Sequence, residues 1–207
     1  MKLCMFSPRE LDLERGWPGR IEGDRVIQLA AQTLQAFFTG GGSAREHAEY
    51  PLDGVVLRAP VLHPPSIRIF DGDDFSFANP SSIYGPDETI PLPAGADSVE
   101  SQERLAAVIG GGMIGGFTLM NDWVSPTLAG AKARDFAISL GPVVVTPDEF
   151  GGDVDWTRLL DHAELNTRFL PGDVIAGPVR RRAGPVRAGG SIELSHSVIG
   201  SLRNHVG

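Results

Sequence analysis

The sequence predicts an α+β fold dominated by strands, with a small N-terminal domain over residues 1–59 and a larger one over residues 60–207. Three observations carry this reading. Between Gly115 and Glu149 the chain runs strand, loop, strand: Phe117 and Leu119 alternate with Thr118 and Met120, and Val143, Val144 and Val145 form a β-branched run closed by Thr146-Pro147-Asp148. Pro60 to Pro65 make a stiff stretch after which the composition shifts to strands, Gly and Pro. Beyond it only Asp155 to Asp161 reads as helix, so the strand–helix–strand repetition of a parallel α/β fold is missing.

In order, Arg20 to Ile27 is a hairpin whose two extended pieces meet at Glu22-Gly23-Asp24. Leu29, Leu34, Phe37 and Phe38 stand at helical spacing, and Gly40-Gly41-Gly42 ends that helix. Val55 to Leu57 is a short strand. Asp71-Gly72-Asp73-Asp74 is a tight acidic turn without the ligand spacing of an EF-hand loop, so it reads as a solvated turn. Leu105 to Ile109 is an apolar strand, and the Gly110-Gly111-Gly112 that closes it lacks the spacing of a phosphate-binding loop. Phe169 to Ile175, Ser191 to Leu194 and Ile199 to Asn204 read as extended segments set around glycine turns.

Composition bounds the function. The formal net charge is −8, and Arg180-Arg181-Arg182 is the one basic tract, which argues against nucleic acid as a partner. No segment has the apolar length of a membrane span. MKLCMFSPRELD turns polar too early for a signal peptide, so a cytoplasmic protein is expected. Cys4 is alone, which removes a disulfide framework and a cysteine zinc site. The five histidines (His47, His63, His162, His196 and His205) show no HxxxH spacing, and Ser139 is not in a GxSxG elbow. Asn121-Asp122 closes the first strand of the 115–149 unit. A carboxylate on such a rigid support is a place for a metal ligand or a catalytic acid, although Asn-Asp at a strand end, taken alone, is more often a turn.

A specific likeness lies in the collinear segments IEGDRVIQL, YPLDGVVLRAPVLHPPSIRIF, NPSSIYGPDETIPLP, LAAVIG, GFTLMNDW, DFAISLGPVVVTPDE, FLPGDVIA and IGSLRN. In these the chain resembles the fumarylacetoacetate hydrolase family over nearly its whole length. The resemblance implies mixed β-sheets rolled into a barrel-like sandwich behind a small N-terminal domain, and a homodimer. It also implies a small oxo acid or 1,3-dicarbonyl as substrate, with Mg²⁺ or Mn²⁺ held by carboxylates. The metal suits the chemistry, because a divalent cation on hard oxygen ligands stabilises an enolate oxygen as a Lewis acid.

The sequence departs from that family where its metal would sit. The Glu-x-Glu pair before Val108-Ile109-Gly110 is replaced by Gln102 and Arg104, with Glu103 between them on the other face and Glu100 one step outside. The Asp expected after Ile67-Arg68 is Ile69, so Asp122 alone survives of the metal shell. The usual Lys aligns with Arg134, and two Thr positions hold Ile138 and Pro178. The segment that carries a catalytic His, the helix before Gly115 and much of a lid are absent. Arg104, together with Arg134, is expected to pair with Asp122 and take the metal's place, so no metal cofactor is expected.

Three readings stay open. One is a metal-free lyase, isomerase or cyclase using Asp122, Arg104 and Arg134, with Gln102, Asn79 and Tyr84 at the substrate. Another is a non-catalytic relative that binds a metabolite or pairs with an active paralogue. The third is a Mg²⁺ or Mn²⁺ hydrolase in which Glu100 or Glu103 joins Asp122.

Overall fold

The structure, a computed structural model, describes residues 1–152 and 154–207. The first half of the chain forms β1 (Lys2–Pro8), β2 (Trp17–Glu22), β3 (Arg25–Leu29), α1 (Leu34–Thr39), β4 (Glu46–Pro51), β5 (Val55–Arg58), β6 (Ile67–Asp71), β7 (Asp74–Phe77), β8 (Ile83–Tyr84) and β9 (Thr89–Ile90). Two long strands follow, β10 (Val99–Ile109) and β11 (Ile114–Val124), then β12 (Ile138–Val145) and α2 (Trp156–Glu164). The chain closes with β13 (Val174–Ala176), β14 (Arg181–Val186), β15 (Ser191–His196) and β16 (Gly200–Val206).

Among the described residues, 13 strands share one mixed sheet whose path runs β4-β3-β2-β1-β12-β11-β10-β13-β6-β7. β14, β5 and β8 pair with β10, β1 and β12, and a second sheet of three strands runs β15-β16-β9. The β-dominated α+β architecture is therefore the one expected. Residues 1–59 enter the large sheet through β1, where Lys2 faces Val145 and Leu3 faces Val144.

β10 and β11 are antiparallel and covered on both faces, so side-chain alternation sends each strand into two cores. Leu105 and Leu119 face each other across the register into one core with Phe6, Val143, Leu194 and Leu202. Ala106 and Met120 point into the other, with Ile67, Ile69, Ile138 and Leu140. Burying each such leucine contributes about 2 kcal/mol relative to leaving it in water. At Gly116 the strands come too close for a side chain: a Cβ would lie 2.5 Å from Val144 Cγ1 and 2.6 Å from the carbonyl oxygen of Val145.

The hairpin at Glu22-Gly23-Asp24 is present as β2 and β3. The helix expected from Leu29 is shorter. Leu29 completes β3 opposite Glu46, and the Thr33 hydroxyl accepts from the Ala36 N–H, so the helix begins only after that cap. α2 starts in the same way, with the Asp155 carboxylate capping the Arg158 N–H. Among the described residues no helix is long and apolar enough to cross a membrane.

Candidate functional site

Register brings the polar residues of β10 and β11 together. Gln102 faces Asp122 and Arg104 faces Met120, so Gln102, Arg104 and Asp122 share a face of the sheet where β6 and β13 end. The Arg104 side chain is 0% exposed and that of Asp122 1%. A buried guanidinium is tolerated only when its donors are matched, and here all of them are. Nε donates to Asp122 Oδ2 at 3.2 Å. Nη1 donates to the carbonyl oxygens of Phe70 at 2.8 Å and Gly177 at 3.0 Å. Nη2 donates to Asp71 Oδ1 at 3.0 Å and Gln102 Oε1 at 3.2 Å. Every N–H of Arg104 is used, so this cation is part of the scaffold.

Arg134 differs. It follows a 3₁₀ turn, Gly130–Ala133, in the connection between β11 and β12, and its side chain is 35% exposed. Its Nη2 donates to Asp122 Oδ2 and, at 3.3 Å, to Gln102 Oε1, while Nη1 lies 3.8 Å from Asp71 Oδ2. Burial works against its charge, but the hydrogen bond to Asp122 and the charges of Asp122 and Asp71 prevail, and its pKa is raised. Two guanidiniums and two carboxylates leave the cluster with no net charge. Asp122 Oδ1 is buried and has no hydrogen-bond partner among the described residues.

Arg134 also lines a cleft of ≈ 410 Å³ whose walls include Ile69, Ser76, Phe77, Ala78 and Asn79. Its guanidinium thus joins the buried cluster to open space. A second cleft of ≈ 490 Å³, beside α2, is lined by Arg158, Pro178 and Arg180 and by none of the four charged members of the cluster.

The other expected site residues fall in different places. Asn79 lines the Arg134 cleft, but its amide donates to Ser82 Oγ and the Asp135 carbonyl and accepts from the Ser81 N–H, so it is committed to its loop. Tyr84 packs against the separate core of Ile90, Val99 and Trp123, and burial, then Glu88, raises its hydroxyl pKa. Glu103 lies on the opposite face of β10, ion-paired with Arg181 at 2.9 Å and Arg180 at 3.7 Å. Glu100 faces Val124 at the outer end of the strand. Ile69 and Ile138 are core residues. Among the described residues, no three His, Cys, Asp or Glu side chains gather where a metal ion would be held.

Sequence reasoning missed Asp71. It read as one carboxylate of a solvated turn, yet it ends β6, is 52% exposed, and touches both arginines. The signal available was the argument already applied to Asp122, a carboxylate fixed at the end of a strand.

No family model matches the chain, and no curated protein matches it. Solved structures do. Maleylpyruvate hydrolase from Sphingobium sp. SYK-6 is similar at a TM-score of 0.83 and 21% identity, covering 100% of this chain and 99% of that one. The same enzyme in complex with manganese(II) ion and pyruvate gives 0.82 and 20%, over 100% and 98%. The 5-carboxymethyl-2-hydroxymuconate delta-isomerase from Mycobacterium smegmatis gives 0.77 and 23%, over 100% and 99%. The fold of this chain, end to end, is the fold of these hydrolase and isomerase structures.

Proposed function

We propose that the protein is a metal-independent enzyme of enolate chemistry, a lyase, isomerase or cyclase in type, acting on a small 2-oxo acid. The observation that carries this is Arg104, a fully buried guanidinium with every donor engaged, beside the Asp122 carboxylate. The similar fold binds manganese and pyruvate in the Sphingobium enzyme. Here the residues present do not fit a divalent ion. Asp122 Oδ2 already serves two guanidiniums, and a doubly charged ion about 4 Å from Arg104 would meet about 8 kcal/mol of repulsion at an effective dielectric of about 20.

The chemistry then falls to this chain's own groups. Arg134 presents planar N–H donors to the cleft and is suited to a carboxylate or an enolate oxygen. Asp122, assisted by Gln102, holds Arg134 in place and is a positioning residue. Asp71 is the carboxylate at this cluster that is open to solvent. In the proposed step it takes a proton from C3 of the oxo acid, the C–H electron pair forms the C2–C3 double bond, and the carbonyl oxygen becomes an enolate held by Arg134. Returning a proton to C3 closes the cycle.

The test is deuterium incorporation at C3 of pyruvate in D₂O, followed by proton NMR with chelator-treated protein. Exchange above the uncatalysed rate, insensitive to chelator and lost in Arg134→Gln and Asp71→Asn, supports the reading. Exchange that appears only on adding Mn²⁺ would overturn it. The saturation of Arg104 favours a second reading, a binding protein without turnover, because one arginine alone remains for the oxyanion. Pyruvate binding that depends on Arg134, with no exchange, would establish that one.

A further inference from the structure

The cleft beside Arg134 has a charge pattern that the enolate reading leaves unused. We infer that it selects a monocarboxylate 2-oxo acid with an apolar tail and discriminates against 2-oxo dicarboxylates. The inference rests on the reading that Arg134 holds the acid's head.

Charge argues first. Arg104 and Arg134 are balanced by Asp122 and Asp71, so the cluster offers no surplus positive charge. A monoanion leaves the site with one negative charge in excess, and a dianion leaves two. The other charged side chain in the wall is Asp135, whose carboxylate is bound by Lys132 at 2.7 Å and so supplies no attraction for an anion. A second carboxylate would therefore lose water without finding a partner.

The walls argue second. Ile69, Ala78 and Ala131 give the cleft apolar walls, while the exposed Phe77 ring lies on the other face of β7, over the Arg68 guanidinium and against Phe75. Apolar walls beside a single cation are the kind of surface that an alkyl tail covers once the acid's head is held. Three methylenes fit easily within ≈ 410 Å³. Partly covering them gains about tenfold in affinity, since each fully buried methylene is worth about fourfold.

The test measures binding of pyruvate, 2-oxohexanoate and 2-oxoglutarate by calorimetry to the intact chain and to Arg134→Gln, Ala131→Arg and Ala78→Ser. Ala131 is exposed in the cleft wall, so an arginine there adds the missing second cation without disturbing a core. The inference expects 2-oxohexanoate to bind about tenfold more tightly than pyruvate or 2-oxoglutarate. Ala78→Ser, which puts a hydroxyl in the apolar wall, should weaken 2-oxohexanoate alone, and Ala131→Arg should raise the affinity for 2-oxoglutarate alone. If 2-oxoglutarate binds as tightly as 2-oxohexanoate through Arg134, the selectivity is overturned while the oxo-acid site stands. If none of the three acids binds, both readings fall together.

Discussion

Arg104→Met is the substitution on which the account of the site depends most. Methionine is close to the arginine stem in volume but removes the guanidinium, and five acceptors lose their donor at once. The Phe70 and Gly177 carbonyls are left facing a thioether, and Asp122, 1% exposed, keeps Arg134 as its one cation. Breaking a buried ion pair by removing one partner costs about 3–5 kcal/mol, because the remaining charge is stranded. We expect a loss of about 4 kcal/mol, which in a domain of this size lowers Tm by about 12 °C. Urea unfolding followed by the fluorescence of the fully buried Trp123 measures it directly. Arg203→Met is the control: its pair with Asp87 is half exposed on both sides, and its removal should cost under about 0.5 kcal/mol. An Arg104→Met protein that unfolds within about 1 kcal/mol of the parent would show that the guanidinium is not a structural cation, and the reasoning behind the proposed metal independence would fail with it.

Three further outcomes are expected. A Gln102→Glu, Arg104→Glu double variant should gain Mn²⁺ affinity by calorimetry where the chelator-treated parent shows none, and micromolar Mn²⁺ binding by the parent would contradict the proposed metal independence. Gly116→Ala should lose about 2 kcal/mol or fail to fold, because its Cβ has to displace the Val145 carbonyl in the middle of the sheet. Burial pushes the Cys4 thiol far above its ordinary value, so the unfolded chain gives up that proton first as pH rises. The thiol's contribution to stability is thus fully present below about pH 8.5 and is lost above it, by at most about 1.4 kcal/mol per pH unit. Stability measured from about pH 8 to about pH 10 should fall more steeply for the parent than for Cys4→Ala.

Much of this molecule was legible before its structure, and the gaps share physical causes. β11 and β12 were readable because alternation and β-branching mark them, and Asp155 to Asp161 stood out as the helical stretch beyond residue 60. By hydropathy β10 was seen only from Leu105, and the resemblance alone carried it back to Gln102, since Ser101, Gln102, Glu103 and Arg104 look like surface and are in fact buried. Hydropathy cannot recognise a polar residue that is satisfied inside. β1 was missed for the opposite reason: Leu3, Cys4, Met5 and Phe6 are covered on both faces, so no alternation betrays a strand. The Arg104–Asp122–Arg134 grouping was expected from the family resemblance, which sets Arg104 at a metal-ligand position and Arg134 at that of the usual Lys; strand parity adds only that Gln102 and Arg104 share a face. The sequence marks Asp71 only as a carboxylate at the end of a strand; which arginines it meets depends on where β6 ends against β13, a pairing between segments far apart in sequence.

The placement of β1 also bears on how the chain is made. One long edge of β1 is taken by β2, which follows closely, but the other is divided between β12 and β5. While the ribosome works toward Val144 and Val145, the apolar segment Leu3 to Phe6 waits with half of that edge unpaired. Such an open edge recruits whatever strand arrives first, including that of a neighbouring nascent chain. Completion of the sheet is necessarily late, and a product that stops short of Val145 would keep an adhesive edge for good. Low temperature and slow synthesis should therefore raise the yield of folded protein, with aggregates enriched in chains whose first strand never met its partner.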